Sequence, residues 1–149
     1  MSKKKYLIWL LPIFWLGLTI FLTFQNGDSS EKLSHIIAEK ICAIFDSSKD
    51  IYDCEVALRD LAHISIHFVL AFLTALAAYY KTENPFYPGI TSVTVCAIIA
   101  VLDEVGQLFT TGRTFEYVDI IRNLLGVIYG TMCYIFVNSI KKYLETARE

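Results

Sequence analysis

Charged residues are scarce in this chain: they make up 19% of its 149 residues, whereas hydrophobic residues make up 55%. An average soluble domain is about 25% charged and roughly 45–50% apolar, so this composition disfavours a domain surrounded only by water. Glycine and proline are also few, at 7 and 3 residues, while aromatic residues reach 14%. Disordered, collagen-like and low-complexity chains are therefore excluded, and one packed domain over residues 1–149 is predicted.

A basic surplus is missing as well. The formal net charge is −2, so few cations remain to neutralise phosphates, and nucleic acid is excluded as a partner. The sequence holds neither a CxxC pair nor an HExxH motif, and no metal or other cofactor is predicted. His63 and His67 share one helical face, but such a pair alone is more often hydrogen-bonded than metal-bound. Cys42 and Cys54 form either a disulfide or two independent thiols.

Long apolar stretches are what the sequence does contain. The first, residues 6–24, has no charged residue, and its length nearly covers a hydrocarbon core of roughly 30 Å at about 1.5 Å per residue. No small-x-small cleavage pattern follows it, which favours an uncleaved first helix over a signal peptide. Residues 62–80, 89–109 and 117–140 are the other three stretches. The prediction is an all-α membrane protein, a bundle of four transmembrane helices.

The distribution of charge predicts the orientation, because lysine and arginine in short loops tend to stay cytoplasmic. With the N-terminus inside, the inner side holds seven cations and three acids, and the segment 28–60 holds four cations and eight acids. Both termini are therefore predicted to be cytoplasmic, with residues 25–61 as an outer loop in a multi-pass protein of the cell membrane. Apolar residues recur at helical spacing over about 29–45, which predicts an amphipathic helix that lies on the outer membrane surface or covers the end of the bundle, with Asp28 and Glu31 as a capping box.

Ionisable and amide side chains cluster at the predicted outer ends of the helices, where burial near lipid costs a few kcal/mol unless each group is paired or hydrated. The inner halves are almost wholly apolar, which argues against a channel or pump and favours a polar cup that opens outward. Ion pairs that lock the bundle are the alternative explanation. The catalytic candidates are His63, Asp103, Glu104 and Asp119, and the ligand-binding candidates are Gln25, Arg59, Gln107, Arg113, Arg122 and Asn123.

Four short motifs resemble the VanZ-like family of bacterial membrane proteins. They are DExxQxFxxGR at 103–113, DxxxNxxGxxxG at 119–130, FQNG at 24–27 and RxxAH at 59–63. Asp60 and His67 depart from the residues often found there, so His63 is the better candidate for a family-wide role. The resemblance implies an integral membrane protein related to one named for low-level teicoplanin resistance, and it implies no reaction. Gly126 and Gly130 form a small-xxx-small pair that predicts close helix packing.

Two functions remain open from the sequence. In the first, the cup binds a membrane lipid, a lipid-linked cell-wall precursor or a glycopeptide without chemistry. In the second, the protein is an intramembrane hydrolase or transferase that acts on a lipid-linked phosphate. There the three arginines would hold the anion, an acidic side chain would act as base or nucleophile, and His63 would transfer the proton.

Overall fold

The computed structural model describes residues 4–45, 50–79 and 86–148, and every regular element in these ranges is an α-helix. The helices are α1 (Lys4–Leu7), α2 (Leu10–Thr23), α3 (Gly27–Phe45), α4 (Ile51–Tyr79), α5 (Tyr87–Gln107) and α6 (Tyr117–Thr146). The all-α prediction is therefore confirmed. The predicted end of the second span at residue 80 lies outside the described residues.

Three helices, α4, α5 and α6, are long and apolar enough to cross a membrane. Most of their large apolar side chains are exposed on the outside of the bundle, as expected for helices whose solvent is lipid. Helix α2 has 14 residues and meets this test only when taken together with α3, to which it is bent by 103°. The structure thus has three candidate spans, or four if the bent pair counts as one.

Helix α2 is short because the first apolar stretch is interrupted. Pro12 has no N–H to donate to the carbonyl of Ile8, and the N–H of Leu11 bonds that carbonyl instead at 3.2 Å. The chain therefore turns between α1 and α2. Farther along α2, the indole Nε1 of Trp15 donates to the carbonyl of Ile66 at 2.9 Å, which attaches α2 to the middle of α4.

Helix α3 and the first turns of α4 form a cover over one end of the bundle. Cys42 and Cys54 are joined by a disulfide, which is one of the two alternatives that the sequence left open. His35 contacts Glu55 beside it. Helix α4 begins at Ile51, well before the apolar run predicted from residue 62, because its first three turns are polar and lie on α3.

The start of α3 differs in detail from the predicted capping box. The side-chain oxygen of Asn26 accepts the backbone N–H of Asp28 at 3.1 Å, so Asn26, directly before the helix, is the capping residue. Among the described hydrogen bonds, no bond of the predicted box between Asp28 and Glu31 is found.

Helices α4 and α6 are in the closest contact of the bundle, as the small-xxx-small pair predicts. A Cβ added to Gly126 would lie 2.3 Å from the carbonyl oxygen of Ile64, and one added to Gly130 would lie 2.1 Å from that of Phe68. Only glycine allows the two backbones to approach this closely. Small residues also allow close contact between α4 and α5, where the hydroxyl of Ser92 on α5 donates to the carbonyl of Ala71 on α4 at 2.7 Å.

The connection between α2 and α3 packs against the connection between α5 and α6. The N–H of Gly27 donates to the carbonyl of Thr111 at 3.1 Å, and a Cβ on Gly27 would lie 2.1 Å from the carbonyl oxygen of Gly112. Gly112 itself has a φ of 76°, a left-handed conformation that favours glycine. These contacts bring two distant parts of the sequence to the end of the bundle where α5 ends and α6 begins, which we call the polar end.

We predict that Gly130→Ala destabilises the bundle, because the new methyl group would force α4 and α6 apart. Overpacking of this kind costs about 1–3 kcal/mol. Gly17→Ala is the matched control, since nothing lies within 4 Å of a Cβ at that position. Thermal unfolding in detergent, followed by circular dichroism, should show a lower Tm for Gly130→Ala and no loss for Gly17→Ala. Equal Tm values for the two variants would contradict the close contact.

Candidate functional site

The polar end contains a cavity of about 620 Å³, which we call the polar cavity. It lies between the ends of α2 and α5, the cover formed by α3 and α4, and the start of α6. Eight of the ten residues that the sequence singled out line it, namely Gln25, Arg59, His63, Asp103, Gln107, Arg113, Asp119 and Arg122. The other two, Glu104 and Asn123, are fully buried and bond to residues of the lining.

Asp103 lies at the floor of the polar cavity, one turn before the end of α5. One carboxylate oxygen accepts the hydroxyl of Thr23 from α2, and the other is 3.4 Å from Nδ2 of Asn123 on α6. That second oxygen is also 4.0 Å from Nε2 of His67 on α4. Asp103 therefore connects three helices. Nothing in the sequence context of Thr23 sets it apart, and the family resemblance favours His63 over His67, so neither Thr23 nor His67 is among the sequence candidates.

His63 connects the floor to the start of α6. Its Nδ1 is 3.0 Å from the side-chain oxygen of Asn123, so the nitrogen donates this bond. Its Nε2 is 3.6 Å from a carboxylate oxygen of Asp119, which is a longer contact. The ring thus lies between an amide and a carboxylate, with Asp103 one bond beyond Asn123. An imidazole ring can accept or donate a proton, whereas the amide of Asn123 joins His63 to Asp103 by hydrogen bonds alone.

Glu104 lies beneath the cavity on a neighbouring face of α5. Its two oxygens accept the backbone N–H of Glu116 at 2.7 Å and Nε2 of Gln107 at 3.1 Å. With 0% of its surface exposed, Glu104 cannot touch a ligand in this arrangement. Its contact with Glu116 instead fixes the residue that directly precedes α6, so Glu104 acts on the site by positioning.

Arg113 fastens the end of α2 to the end of α5. Its Nε donates to the carbonyl of Gln25 at 3.2 Å, and its Nη2 donates to the carbonyl of Leu22 at 3.3 Å. Its Nη1 donates to the side chain of Gln107 at 3.3 Å. Burial, and next the nearby Arg59 cation, lower the pKa of the Arg113 guanidinium, which still stays charged at neutral pH. All three nitrogens are therefore engaged by the protein itself.

Arg122 is similarly occupied. It pairs with Asp119 one turn earlier on α6 and, through Nη2, with Asp60 on α4 at 2.8 Å. Asp60 is one of the two departures from the family pattern, and here it provides the acidic partner that joins α4 to α6. Arg59, by contrast, is exposed and belongs to no ion pair in the described ranges.

The chemistry of the site follows from these contacts. Of its three arginines, Arg113 and Arg122 are held by protein groups, and Arg59 is available to an incoming anion. Among the described residues, no three His, Cys, Asp or Glu side chains are arranged to hold a metal ion. The site offers acceptors at the floor, a histidine between polar partners on one wall and a cation beside the opening.

We predict that Arg113→Lys lowers the free energy of unfolding by about 1–3 kcal/mol, because one ammonium group cannot reach three separate acceptors and so loses charged hydrogen bonds to half-buried groups. Arg59→Lys is the matched control and should leave the Tm unchanged, since that side chain is exposed. Thermal unfolding in detergent measures both variants. A Tm for Arg113→Lys that equals that of Arg59→Lys would show that the three contacts do not hold the polar end.

Comparison with known proteins agrees with the motifs around this cavity. A model of the VanZ/LLP1 family matches residues 8–138, which include all four motifs and every residue of the site. Neither a curated protein nor a solved structure matches the chain. Since the match covers most of the sequence, the chain belongs to the VanZ/LLP1 family.

Proposed function

We propose that this VanZ-like membrane protein binds the polar headgroup of a lipid or lipid-linked envelope precursor in its polar cavity, at the outer face of the cell membrane. The observation that carries the proposal is the cavity itself. Its volume of about 620 Å³ lies within the range of roughly 300–1,000 Å³ that is usual for small-molecule sites. Charged and polar side chains line it together with apolar ones such as Leu33 and Ile66, at the ends of helices whose other surfaces are largely apolar.

In the proposed arrangement, α1 and α2 together form a fourth span and both termini are cytoplasmic. Residues 4–23 have a length of about 30 Å as helix, which matches the hydrocarbon core. Helix α3 bends away from α2 by 103° and so would run along the outer surface. Its Ile36 and Ile44 are 51% and 76% exposed, and in this position they would enter the interface between headgroups and acyl chains.

A headgroup could then enter the polar cavity beside α3 while its acyl chains stay in the bilayer. For a cell-wall precursor, a headgroup held in this way would be less accessible to a glycopeptide such as teicoplanin. Such shielding would account for the low-level teicoplanin resistance for which one member of the family is named.

A second candidate is an intramembrane hydrolase or transferase that acts on a lipid-linked phosphate. The observation in its favour is the chain from Asp119 through His63 and Asn123 to Asp103. A histidine beside a carboxylate is an arrangement that general acid–base catalysis often uses. The positions of the arginines count against this candidate, because Arg113 and Arg122 are engaged by protein groups.

We predict that filling the polar cavity abolishes specific stabilisation by headgroups. Purified protein in detergent would receive an equal mixture of short-chain phosphatidylethanolamine and phosphatidylglycerol. A ligand that binds only the folded state stabilises it by about 2.7 kcal/mol at roughly 100 times its Kd, so the wild-type Tm should rise. Ala62→Phe should remove this rise, because Ala62 lines the cavity without bonding to its polar groups.

Ala147→Phe is the matched control, since Ala147 is exposed at the far end of α6. It should show the same rise in Tm as the wild type. An equal rise in Ala62→Phe would mean that the lipid acts elsewhere on the surface and would contradict the proposal. Release of the water-soluble headgroup fragment by hydrolysis of the lipid phosphodiester, measured in the same samples, would favour the enzyme if it occurs in the wild type and is lost in Ala62→Phe.

A further inference from the structure

The most unusual atom of the polar cavity is Nε2 of His67. The residue is 1% exposed, it lines the cavity, and Nε2 has no hydrogen-bond partner. The other ring nitrogen, Nδ1, is 3.2 Å from the carbonyl oxygen of His63 and must donate to it, because a carbonyl only accepts. In the neutral ring, Nε2 is therefore an acceptor directed into the cavity without a donor.

A second acceptor lies near Nε2. The carboxylate oxygen of Asp103 lies 4.0 Å away, which is too long for a hydrogen bond. The hydrogen bonds to Asp103 are also few. Thr23 has one hydroxyl proton for two acceptors, Asp103 and the carbonyl of Thr19, and Asn123 is at 3.4 Å. The floor of the cavity thus has more acceptors than donors.

The charged residues of the lining also favour a ligand that carries positive charge. Its lining contains three arginines and the five acids Glu31, Asp60, Asp103, Glu116 and Asp119. Arg122 is paired with Asp60 and Asp119, and Arg113 bonds to carbonyls and an amide. Neither of these cations is therefore an ion-pair partner of Asp103. A ligand that brings positive charge and N–H donors to the floor would satisfy its unpaired acceptors, whereas a simple anion would not.

We propose that the floor of the polar cavity binds the primary ammonium group of the headgroup, between Nε2 of His67 and the carboxylate of Asp103. An ammonium nitrogen about 2.8 Å from each of two acceptors can bridge a gap of 4.0 Å between them. Arg59, exposed beside the opening and free of ion pairs in the described ranges, faces the anionic part of the same headgroup. This inference rests on the proposed function and narrows its ligand to a zwitterion with an amine.

The test compares headgroups with a primary amine, a quaternary amine and no amine, by calorimetric titration of the wild-type protein in detergent. The probes are short-chain phosphatidylethanolamine, phosphatidylcholine, whose quaternary nitrogen has no N–H, and phosphatidylglycerol, which has no amine. We expect phosphatidylethanolamine to bind at least tenfold more tightly than either of the others. Soluble phosphoethanolamine is a further probe: binding as tight as that of the lipid would mean that the headgroup alone is the ligand.

Substitutions at the floor of the polar cavity test whether His67 and Asp103 cause the preference for phosphatidylethanolamine. Asp103→Asn and His67→Phe should each reduce the preference for phosphatidylethanolamine to threefold or less, while Glu145→Gln, an exposed acid near the end of α6, should leave it unchanged. Should either floor variant fail to fold, the comparison of headgroups on the wild type decides alone. Equal affinities for the three lipids, with binding still abolished by Ala62→Phe, would overturn this inference and leave the proposed function standing. Absence of any binding that depends on the cavity would overturn both.

Discussion

The burial of two adjacent carboxylates at the end of α5 is the constraint on which the rest of the polar end depends. Asp103 and Glu104 lie in the last turns of the long apolar helix α5, and Glu104 is completely enclosed. A buried acid without partners is costly, so each must receive donors from elsewhere in the chain. Thr23 and Asn123 supply them to Asp103, and Gln107 with the backbone of Glu116 supplies them to Glu104. These donors come from α2, from α6, from the last residue of α5 and from the connection between α5 and α6.

The same requirement accounts for the close packing below the site. Asn123 reaches Asp103 only because α6 lies against α4 and α5, and Gly126 and Gly130 permit that approach. Likewise, Arg113 can bond to the last carbonyls of α2 because Gly27 and Gly112 let the two connections touch. The glycines therefore act on the cavity from a distance, through the positions of the helices that form it.

The three long helices and the gathering of the candidate residues at one end of the bundle could be predicted from the sequence, because hydropathy and the placement of charge are properties of single residues. The pairing of groups could not. Arg113 bonds to backbone carbonyls, which every residue has, so no sequence signal marks Leu22 and Gln25 as its partners. The link between Arg122 and Asp60 depends on how α4 and α6 are rotated against each other. The start of α4 at Ile51 could not be predicted either, because hydropathy detects the apolar part of a helix and not the polar turns before it.

The central claim is that the polar cavity opens at the outer face of the membrane, and the accessibility of its rim to a membrane-impermeant maleimide tests it most directly. Thr114 lines the cavity and is exposed, and Thr146 is exposed at the far end of α6. In intact cells, Thr114→Cys should be labelled and Thr146→Cys should be labelled only after permeabilisation, with the unsubstituted chain as background for its own cysteines. Labelling of Thr146→Cys but not of Thr114→Cys in intact cells would reverse the orientation and contradict the account.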